Sequence, residues 1–208
     1  MEKYFTQQRL SSYTDLTDYI ENIKICQRYY PILNIFEIVL RNRINDFFIK
    51  TFGAAWLKKI LKKQFSFDPG TEIENKVKSA ETILTRENKS ITHDALLSNL
   101  TLGFWVALLS NEKDQFFHRL NRYDKRMSSK HNKTFMREVF KLNATDSGSD
   151  TKIEEVRNEL DSIRKFRNRV FHYEKVSHLE LGIKPITEKY IAIFQNETED
   201  LNIFLQNF

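Results

Sequence analysis

Residues 32–48 read ILNIFEIVLRNRINDFF, and this stretch decides the fold class. Apolar side chains recur in it at nearly every helical turn, so we expect a helix that is buried around most of its circumference. The whole chain of 208 residues has 5 Gly and 3 Pro, which are too few for the tight turns of a β-sandwich or barrel. The sequence therefore predicts an all-α protein with a central helix over 32–48.

Further helices are predicted on both sides of this one from the spacing of apolar residues. They cover 15–30, 56–65, 71–86, 96–110, 152–172 and 186–207. A helix boundary is expected at Tyr30, because a residue before proline is disfavoured in the α region, and Gly53 is expected to end the central helix. The polar stretch 143–150 predicts a mobile loop. One domain is expected over 1–208.

Composition and charge exclude several classes of protein. Apolar residues at 40% and charged residues at 29% are typical of a folded chain and exclude wholesale disorder. A single cysteine, Cys26, excludes an internal disulfide and a multi-thiolate zinc site, and we expect it in the core. No apolar run approaches the roughly 20 residues of a membrane span, and residues 1–13 lack the core of a signal peptide, so a cytoplasmic protein without membrane contact is expected. The formal net charge of +5 permits nucleic-acid binding.

Two charged residues fall within the apolar stripes of their predicted helices. Arg167 lies in the stripe of the helix over 152–172, and Glu37 lies in that of the central helix, with Arg41 on its flank. An unpaired buried charge is costly, so we expect the two helices to pack together and Glu37 to pair with Arg167 or Arg41. A purely structural ion pair is the competing interpretation. The stripe of the helix over 152–172 consists of Val156, Leu160, Ile163 and Val170. The stripe of the central helix consists of Leu33, Leu40, Ile44 and Phe47.

Arg167 also opens the string RNRVFHYE, residues 167–174, which has the groups that RNA cleavage requires. The ribose 2′-OH is the nucleophile, so the protein needs an imidazole that moves protons near neutral pH and a cation that stabilises the phosphorane, without a metal. Positions five apart on a helix point about 140° from each other. Either the helix ends near Phe171 and His172 turns inward, or a second copy supplies the complementary groups, and we favour the dimer.

Two basic segments are candidate RNA-binding surfaces. In 56–65 lysines alternate with apolar residues, and in 119–137 basic residues accumulate beside the predicted loop. Cationic faces of this kind contact phosphates, although a solvated face is the alternative interpretation. The candidate residues are Lys58, Lys59, Lys62 and Lys63 in the first segment and Arg122, Lys125 and Arg126 in the second.

The histidines outside the string are not expected to bind a metal. They lack carboxylate or cysteine neighbours at ligand spacing, so no metal site is predicted and surface positions are expected for them. These residues are His93, His118, His131 and His178. Residues 103–105, Gly-Phe-Trp, are assigned to the core or a dimer interface rather than to base stacking.

Three separated segments resemble the Abi-like abortive-infection proteins of bacteria, of the AbiD/AbiF type, which belong to the HEPN superfamily of helical ribonucleases. Residues 36–45, FEIVLRNRIN, are similar to the family's Glu-x-x-Leu-Arg-Asn helix. Residues 102–109, LGFWVALL, are similar to its Gly-Phe-Trp segment, and residues 167–172 to its Arg-Asn-x-x-x-His string. Tyr173 stands where a second histidine is common, which leaves His172 as the string's single imidazole.

This resemblance implies a HEPN-like helical bundle and a homodimer whose two Arg-x4-His motifs meet in one composite cleft. It implies metal-independent, cofactor-free endonucleolytic cleavage of RNA that leaves a 2′,3′-cyclic phosphate. His172 would be the general acid/base, Arg167 the phosphate clamp and Asn168 the residue that orients them. The supporting residues would be Glu37, Arg41 and Asn42.

The function expected from the sequence is therefore an endoribonuclease of antiphage defence, acting on transfer RNA or on other cellular or phage RNA. Two other classes stay open. One is a non-catalytic RNA-binding module that holds a small non-coding RNA or a toxin or antitoxin partner, and the other is a structural dimerisation domain. Loss of activity in His172→Ala with folding and RNA affinity retained would distinguish the enzyme.

Overall fold

The computed structural model describes residues 10–62, 64, 72–109, 129–142 and 149–195. Within these ranges the secondary structure is helical and no strand is present, which confirms the all-α prediction. None of the helices in these ranges has the length and apolar character needed to cross a membrane. The helices are α1 (Leu16–Phe52), α2 (Trp56–Leu61), α3 (Glu72–Arg86), α4 (His93–Ser98), α5 (Leu102–Leu108), α6 (Ser129–Phe140), α7 (Ser149–Phe171) and α8 (Glu180–Gln195).

The fold divides into two compact units. The first consists of the described residues up to Phe36 together with those from Ser162 onwards, and the second is Glu37–Asp161. The first unit therefore holds the start of α1, the end of α7 and α8, whereas the second holds α2 to α6 with the remaining turns of α1 and α7. The single domain over 1–208 stays a prediction.

The core of the first unit is an aromatic cluster between α1, α7 and α8. Tyr29 of α1 meets Phe166 of α7 edge to face, with ring centroids 5.0 Å apart. Phe36 of α1 lies 6.1 Å from Tyr190 and 5.6 Å from Phe194, both on α8. Aromatic pairs of this geometry contribute about 0.5–1.5 kcal/mol each beyond their burial. The cluster thus fixes the end of α7 against α1.

The helix boundary predicted at Tyr30 is wrong, because α1 continues through Pro31 as one helix. An interior proline removes a backbone hydrogen bond and costs about 3 kcal/mol. Tyr29 before the proline, and Leu33 and Phe36 after it, are all buried in the core of the first unit. Burial of a large apolar side chain contributes about 1.5–3 kcal/mol, so packing on both sides of the proline outweighs the local preference.

Both predicted apolar stripes are confirmed as buried, and the two charges within them are half-buried. The buried residues include Leu40, Ile44 and Phe47 in the stripe of α1 and Leu160 and Ile163 in the stripe of α7. Helical periodicity therefore identifies the inward faces correctly. The long charged side chains within those stripes keep part of their surface in water.

The single helix predicted over 96–110 is wrong, because residues 99–101 separate α4 from α5. Asn99 ends α4, and its side-chain amide donates to a carbonyl one turn back at 2.9 Å. Thr101 has the extended backbone of an N-cap, with φ −90° and ψ 167°, but its side chain makes no capping hydrogen bond. The carboxylate of Glu37 accepts from the Leu102 N–H instead, at 2.8 Å. A tertiary contact thus completes the start of α5.

Other boundaries differ from the prediction by smaller amounts. Helix α2 ends before 65, and α8 begins before 186, so that Pro185 lies inside it. Gly53 follows the end of α1 with φ +90°, a conformation that glycine adopts without strain, which confirms the predicted stop. The loop predicted over 143–150 is wrong at 149 and 150, which begin α7. Residues 143–148 of that loop, and 196–207 of the predicted last helix, lie outside the described residues.

Candidate functional site

Helix α7 ends in a tight backbone turn that includes His172. The Glu174 N–H donates across the turn to the Arg169 carbonyl at 2.9 Å, and Tyr173 between them has φ +51°. This is the Schellman arrangement, whose left-handed position is usually glycine. Tyrosine costs about 1–2 kcal/mol there, so the surrounding structure must hold the turn in place.

The three predicted catalytic residues, Arg167, Asn168 and His172, lie together at this end of α7, in the first unit. Arg167 is half-buried, whereas Asn168 and His172 are exposed. The His172 backbone N–H donates to the Asn168 carbonyl at 3.2 Å, so His172 is the residue that caps the carboxyl end of α7. Helix α7 ends at Phe171, one residue before the predicted end at 172. The alternative in which His172 turns inward after this end is wrong, because the His172 side chain lies at the surface, and the favoured dimer stays a prediction.

Arg167 is held by an aromatic ring rather than by polar contacts alone. Its guanidinium carbon lies 4.0 Å from the centroid of the Phe171 ring, within the range of a cation–π interaction. The guanidinium also donates a hydrogen bond to its neighbour on the helix, but this bond is long, at 3.4 Å from Nη1 to the Oδ1 of Asn168. Phe171 therefore limits the freedom of the arginine one turn away from His172.

Asn22 of α1 anchors the segment that follows the turn, and the sequence reasoning missed it. It is fully buried, and its side-chain oxygen accepts from the Val176 N–H at 2.7 Å. Its amide nitrogen donates to the Glu174 carbonyl at 3.0 Å and to the Tyr13 hydroxyl at 3.1 Å. A helical wheel of 15–30 would have marked it as a polar residue within an apolar stripe. That stripe consists of Tyr19, Cys26 and Tyr29.

Lys175 provides a second anchor for the same segment. Its Nζ donates to the Ser12 carbonyl at 2.9 Å and to the Oδ2 of Asp18 at 2.8 Å, and it lies 5.2 Å from the centre of the Tyr13 ring. The hydrogen bond from Lys175 lowers the pKa of the Asp18 carboxyl below its ordinary value. The segment that follows His172 is therefore attached to the start of α1 and to the residues before it through three successive residues, Glu174, Lys175 and Val176.

The supporting residues predicted for the site belong to the second unit, where Glu37 has a structural contact. Its carboxylate accepts from Leu102, so the first two segments of the family resemblance touch each other. Arg41 is half-buried and its Nε donates to the Oδ1 of the exposed Asn42 at 3.4 Å. The pairing of Glu37 with Arg167 or Arg41 stays a prediction.

The predicted basic surfaces are described only in part. Lys58 and Lys59 are half-buried and Lys62 is exposed. Lys59 donates to the carbonyl of Phe52 at the end of α1, a helix-capping contact that withdraws its ammonium from the expected phosphate surface. The other candidates lie outside the described residues, and they are Lys63, Arg122, Lys125 and Arg126.

Cys26 is buried, as expected of a core residue, and burial raises the pKa of its thiol. In the part of the chain that the structure describes, no three His, Cys, Asp or Glu side chains are grouped so that they could hold a metal ion.

The surface position expected for His93 is wrong, because this residue is half-buried in the second unit. Its Nε2 lies 2.9 Å from the Oδ1 of Asn45, and the indole N–H of Trp56 donates to the same atom at 2.9 Å. An indole N–H only donates, so this atom is the amide oxygen and the His93 Nε2 carries the proton. Burial lowers the pKa of His93 below its ordinary value, with Asp94 opposing the shift and Lys58 adding to it.

We expect the free energy of unfolding to fall as the pH drops below about 6.5, through His93. Because its pKa is lower in the folded state, the stability it contributes is present above the unfolded pKa and is lost below it. His93→Gln retains an amide donor for Asn45 and does not titrate. Its urea unfolding curves should therefore show less pH dependence than those of the wild type between about pH 7.5 and about pH 5.

The exposed His178 provides the matched control, because His178→Gln makes the same substitution at a surface histidine of the other unit. Equal pH dependence in the wild type and His93→Gln would contradict the assignment of this acid sensitivity to His93.

Comparison with known proteins identifies no family for this chain. It matches no protein-family model, no curated protein and no solved structure. The resemblance to Abi-like HEPN proteins thus stays a prediction that depends on the three segments quoted above.

Proposed function

We propose that this chain is a metal-independent endoribonuclease of bacterial antiphage defence, which cleaves RNA through the ribose 2′-OH. The observation that carries the proposal is the end of α7. There a guanidinium, a carboxamide and an imidazole occupy one helix end, with Asn168 and His172 exposed to solvent. The backbone that bears them is attached to α1 through the buried Asn22.

The chemistry divides between two of these side chains. The imidazole of His172 is assigned the proton transfers, because a histidine side chain can both accept and donate a proton near neutral pH. The phosphorane formed by attack of the 2′-OH carries additional negative charge, and the Arg167 guanidinium is the cation placed to stabilise it. Its contact with Phe171 reduces the entropy lost when it binds phosphate.

A homodimer supplies what one copy of the string lacks. Cleavage through the 2′-OH uses one group to remove a proton and another to protonate the leaving oxygen. The string has one imidazole, since Tyr173 replaces the second histidine of the family pattern. Exposure of His172 and Asn168 leaves them accessible to a second copy, in which the same residues would complete the composite site.

The test is cleavage of end-labelled total RNA and transfer RNA by the purified chain in excess EDTA. We expect fragments that end in a 2′,3′-cyclic phosphate. After the cleavage position has been mapped, a substrate with a single 2′-deoxynucleotide on its 5′ side should stay intact, because it lacks the nucleophile. Cleavage of this deoxy substrate, or cleavage that requires added Mg²⁺, would contradict the proposal.

A non-catalytic RNA-binding module is the second candidate, and the basic residues of the last turns of α7 favour it. Lys165 and Arg169 are exposed, and Arg164 and Arg167 are half-buried. Such a cluster binds phosphates regardless of catalysis, with an affinity that falls steeply with salt. Salt-sensitive binding of RNA without any cleavage product would support this candidate, which would hold a small non-coding RNA.

A further inference from the structure

Tyr30 is a large aromatic residue that α1 leaves at the surface, beside the candidate site. It is 44% exposed, although Tyr29 next to it is buried in the aromatic cluster of the first unit. Single exposed apolar residues are common on protein surfaces, so exposure alone assigns no role. The contacts of Tyr30 are what distinguish it.

The ring of Tyr30 is stacked on the ring of Phe171, with centroids 4.3 Å apart and planes inclined by 22°. Phe171 is the same residue that carries the Arg167 guanidinium at 4.0 Å. Tyr30, Phe171 and Arg167 thus form one stacked group at the end of α7, next to His172. Of the two aromatic rings in this group, Tyr30 is the more exposed to solvent and Phe171 is the more buried.

The residues around Tyr30 on α1 favour a polar ligand over an apolar partner protein. Gln27 lies one turn before it and Asn34 one turn after it, and both are exposed. An aromatic face between carboxamides matches a nucleobase, whose π-face stacks and whose edges accept and donate hydrogen bonds. A protein-docking patch would be expected to continue in apolar residues at these positions.

We propose that Tyr30 is a stacking platform for an unpaired nucleobase of single-stranded RNA bound at the end of α7. The inference rests on the proposed function, because it assigns the base next to the phosphate that Arg167 and His172 would engage. Tyr30 would then be a substrate-binding residue that selects unpaired RNA over duplex, since paired bases do not expose their faces.

The test measures RNA binding separately from cleavage, by working in the His172→Ala variant. Tyr30→Trp places an indole at the platform, and its emission can be followed because the two natural tryptophans, Trp56 and Trp105, are buried in the other unit. Single-stranded RNA of about ten nucleotides is expected to quench the new emission, whereas inorganic polyphosphate, which has charge but no bases, is expected not to.

The affinity for the same RNA should depend on an aromatic ring at position 30. Tyr30→Ala and Tyr30→Leu should weaken binding by about 5- to 150-fold, and Tyr30→Phe should keep it near wild type. Tyr30→Leu retains bulk against Phe171, so it also addresses loss of packing, and circular dichroism checks that each variant is folded. Ile20→Ala is the matched control, because Ile20 is 43% exposed on the same helix and should not affect RNA affinity.

Failure of the platform and failure of the proposed function give different results. Cleavage by the wild type together with unchanged RNA affinity in Tyr30→Ala and Tyr30→Leu would overturn the platform and leave the ribonuclease standing. Base-dependent quenching without cleavage by the wild type would support the platform and contradict catalysis. A third result would overturn the platform in favour of a protein interface. In that case the dimer would dissociate in both Tyr30→Ala and Ile20→Ala, RNA would cause no base-dependent quenching, and the dimeric wild type and Tyr30→Phe would bind RNA with the same affinity.

Discussion

Replacement of His172 by alanine is expected to lower the rate of RNA cleavage by about 10²–10⁴-fold, the contribution of a general acid/base. The fold should be unaffected, because the side chain is exposed and the turn is closed by backbone hydrogen bonds from His172, Tyr173 and Glu174. RNA affinity should stay near the wild-type value, since phosphate binding is assigned to Arg167. Single-turnover cleavage with saturating enzyme measures the chemical step directly.

His178→Ala is the matched control for this experiment. His178 is also an exposed histidine of the first unit, and it lies outside the turn that closes α7. Its replacement should leave both cleavage and affinity unchanged. Equal activity of His172→Ala and wild type would exclude His172 as the proton-transferring group and would leave the RNA-binding module as the better explanation of this surface.

Replacement of Asn22 by alanine is expected to lower the free energy of unfolding by about 2–5 kcal/mol. The variant loses the acceptor for the buried Val176 N–H and the donor for the Glu174 carbonyl. A buried polar group without a partner costs about 1–3 kcal/mol, and the part-buried hydrogen bond to the Glu174 carbonyl is lost as well. The midpoint of urea unfolding should therefore shift strongly at an unchanged m-value.

Asn34→Ala provides the comparison, because Asn34 is an exposed asparagine of the same helix. Its effect should stay within about 0.5 kcal/mol. Asn22→Ala should also weaken cleavage, since the strained turn at Tyr173 loses its main anchor. A loss of stability below about 1 kcal/mol in Asn22→Ala would show that the segment after α7 is held by other contacts.

Much of the helical architecture follows from local patterns. The stripes of α1 and α7 and the stop at Gly53 are where periodicity and turn residues predict them, and α7 ends one residue before the predicted position. These features depend on residues three or four positions apart and on backbone preferences, which the sequence displays directly. Local patterns failed at Pro31, where burial on either side of one residue outweighed its preference for a boundary.

At the candidate site, too, some features follow from local sequence and others depend on tertiary contacts. The order of residues places Arg167, Asn168 and His172 at one helix end, and that follows from the sequence alone. Long-range contacts decided the rest: Asn22 contacts a segment more than a hundred positions away in the chain, and Tyr30 stacks on Phe171. A helical wheel shows which face of a helix is buried but not which partner covers it.

Hydrogen bonds and ring contacts depend on partners that the tertiary fold brings together. Glu37 illustrates this point, because its position within an apolar stripe predicted a buried charge in need of a partner, and the structure supplies the backbone N–H of Leu102. His93 illustrates it too, since nothing near it in the chain indicates Asn45. The helices and their inward faces were thus encoded locally. Their polar partners were decided by the tertiary fold, because a buried polar group must be satisfied by whatever the packing places beside it.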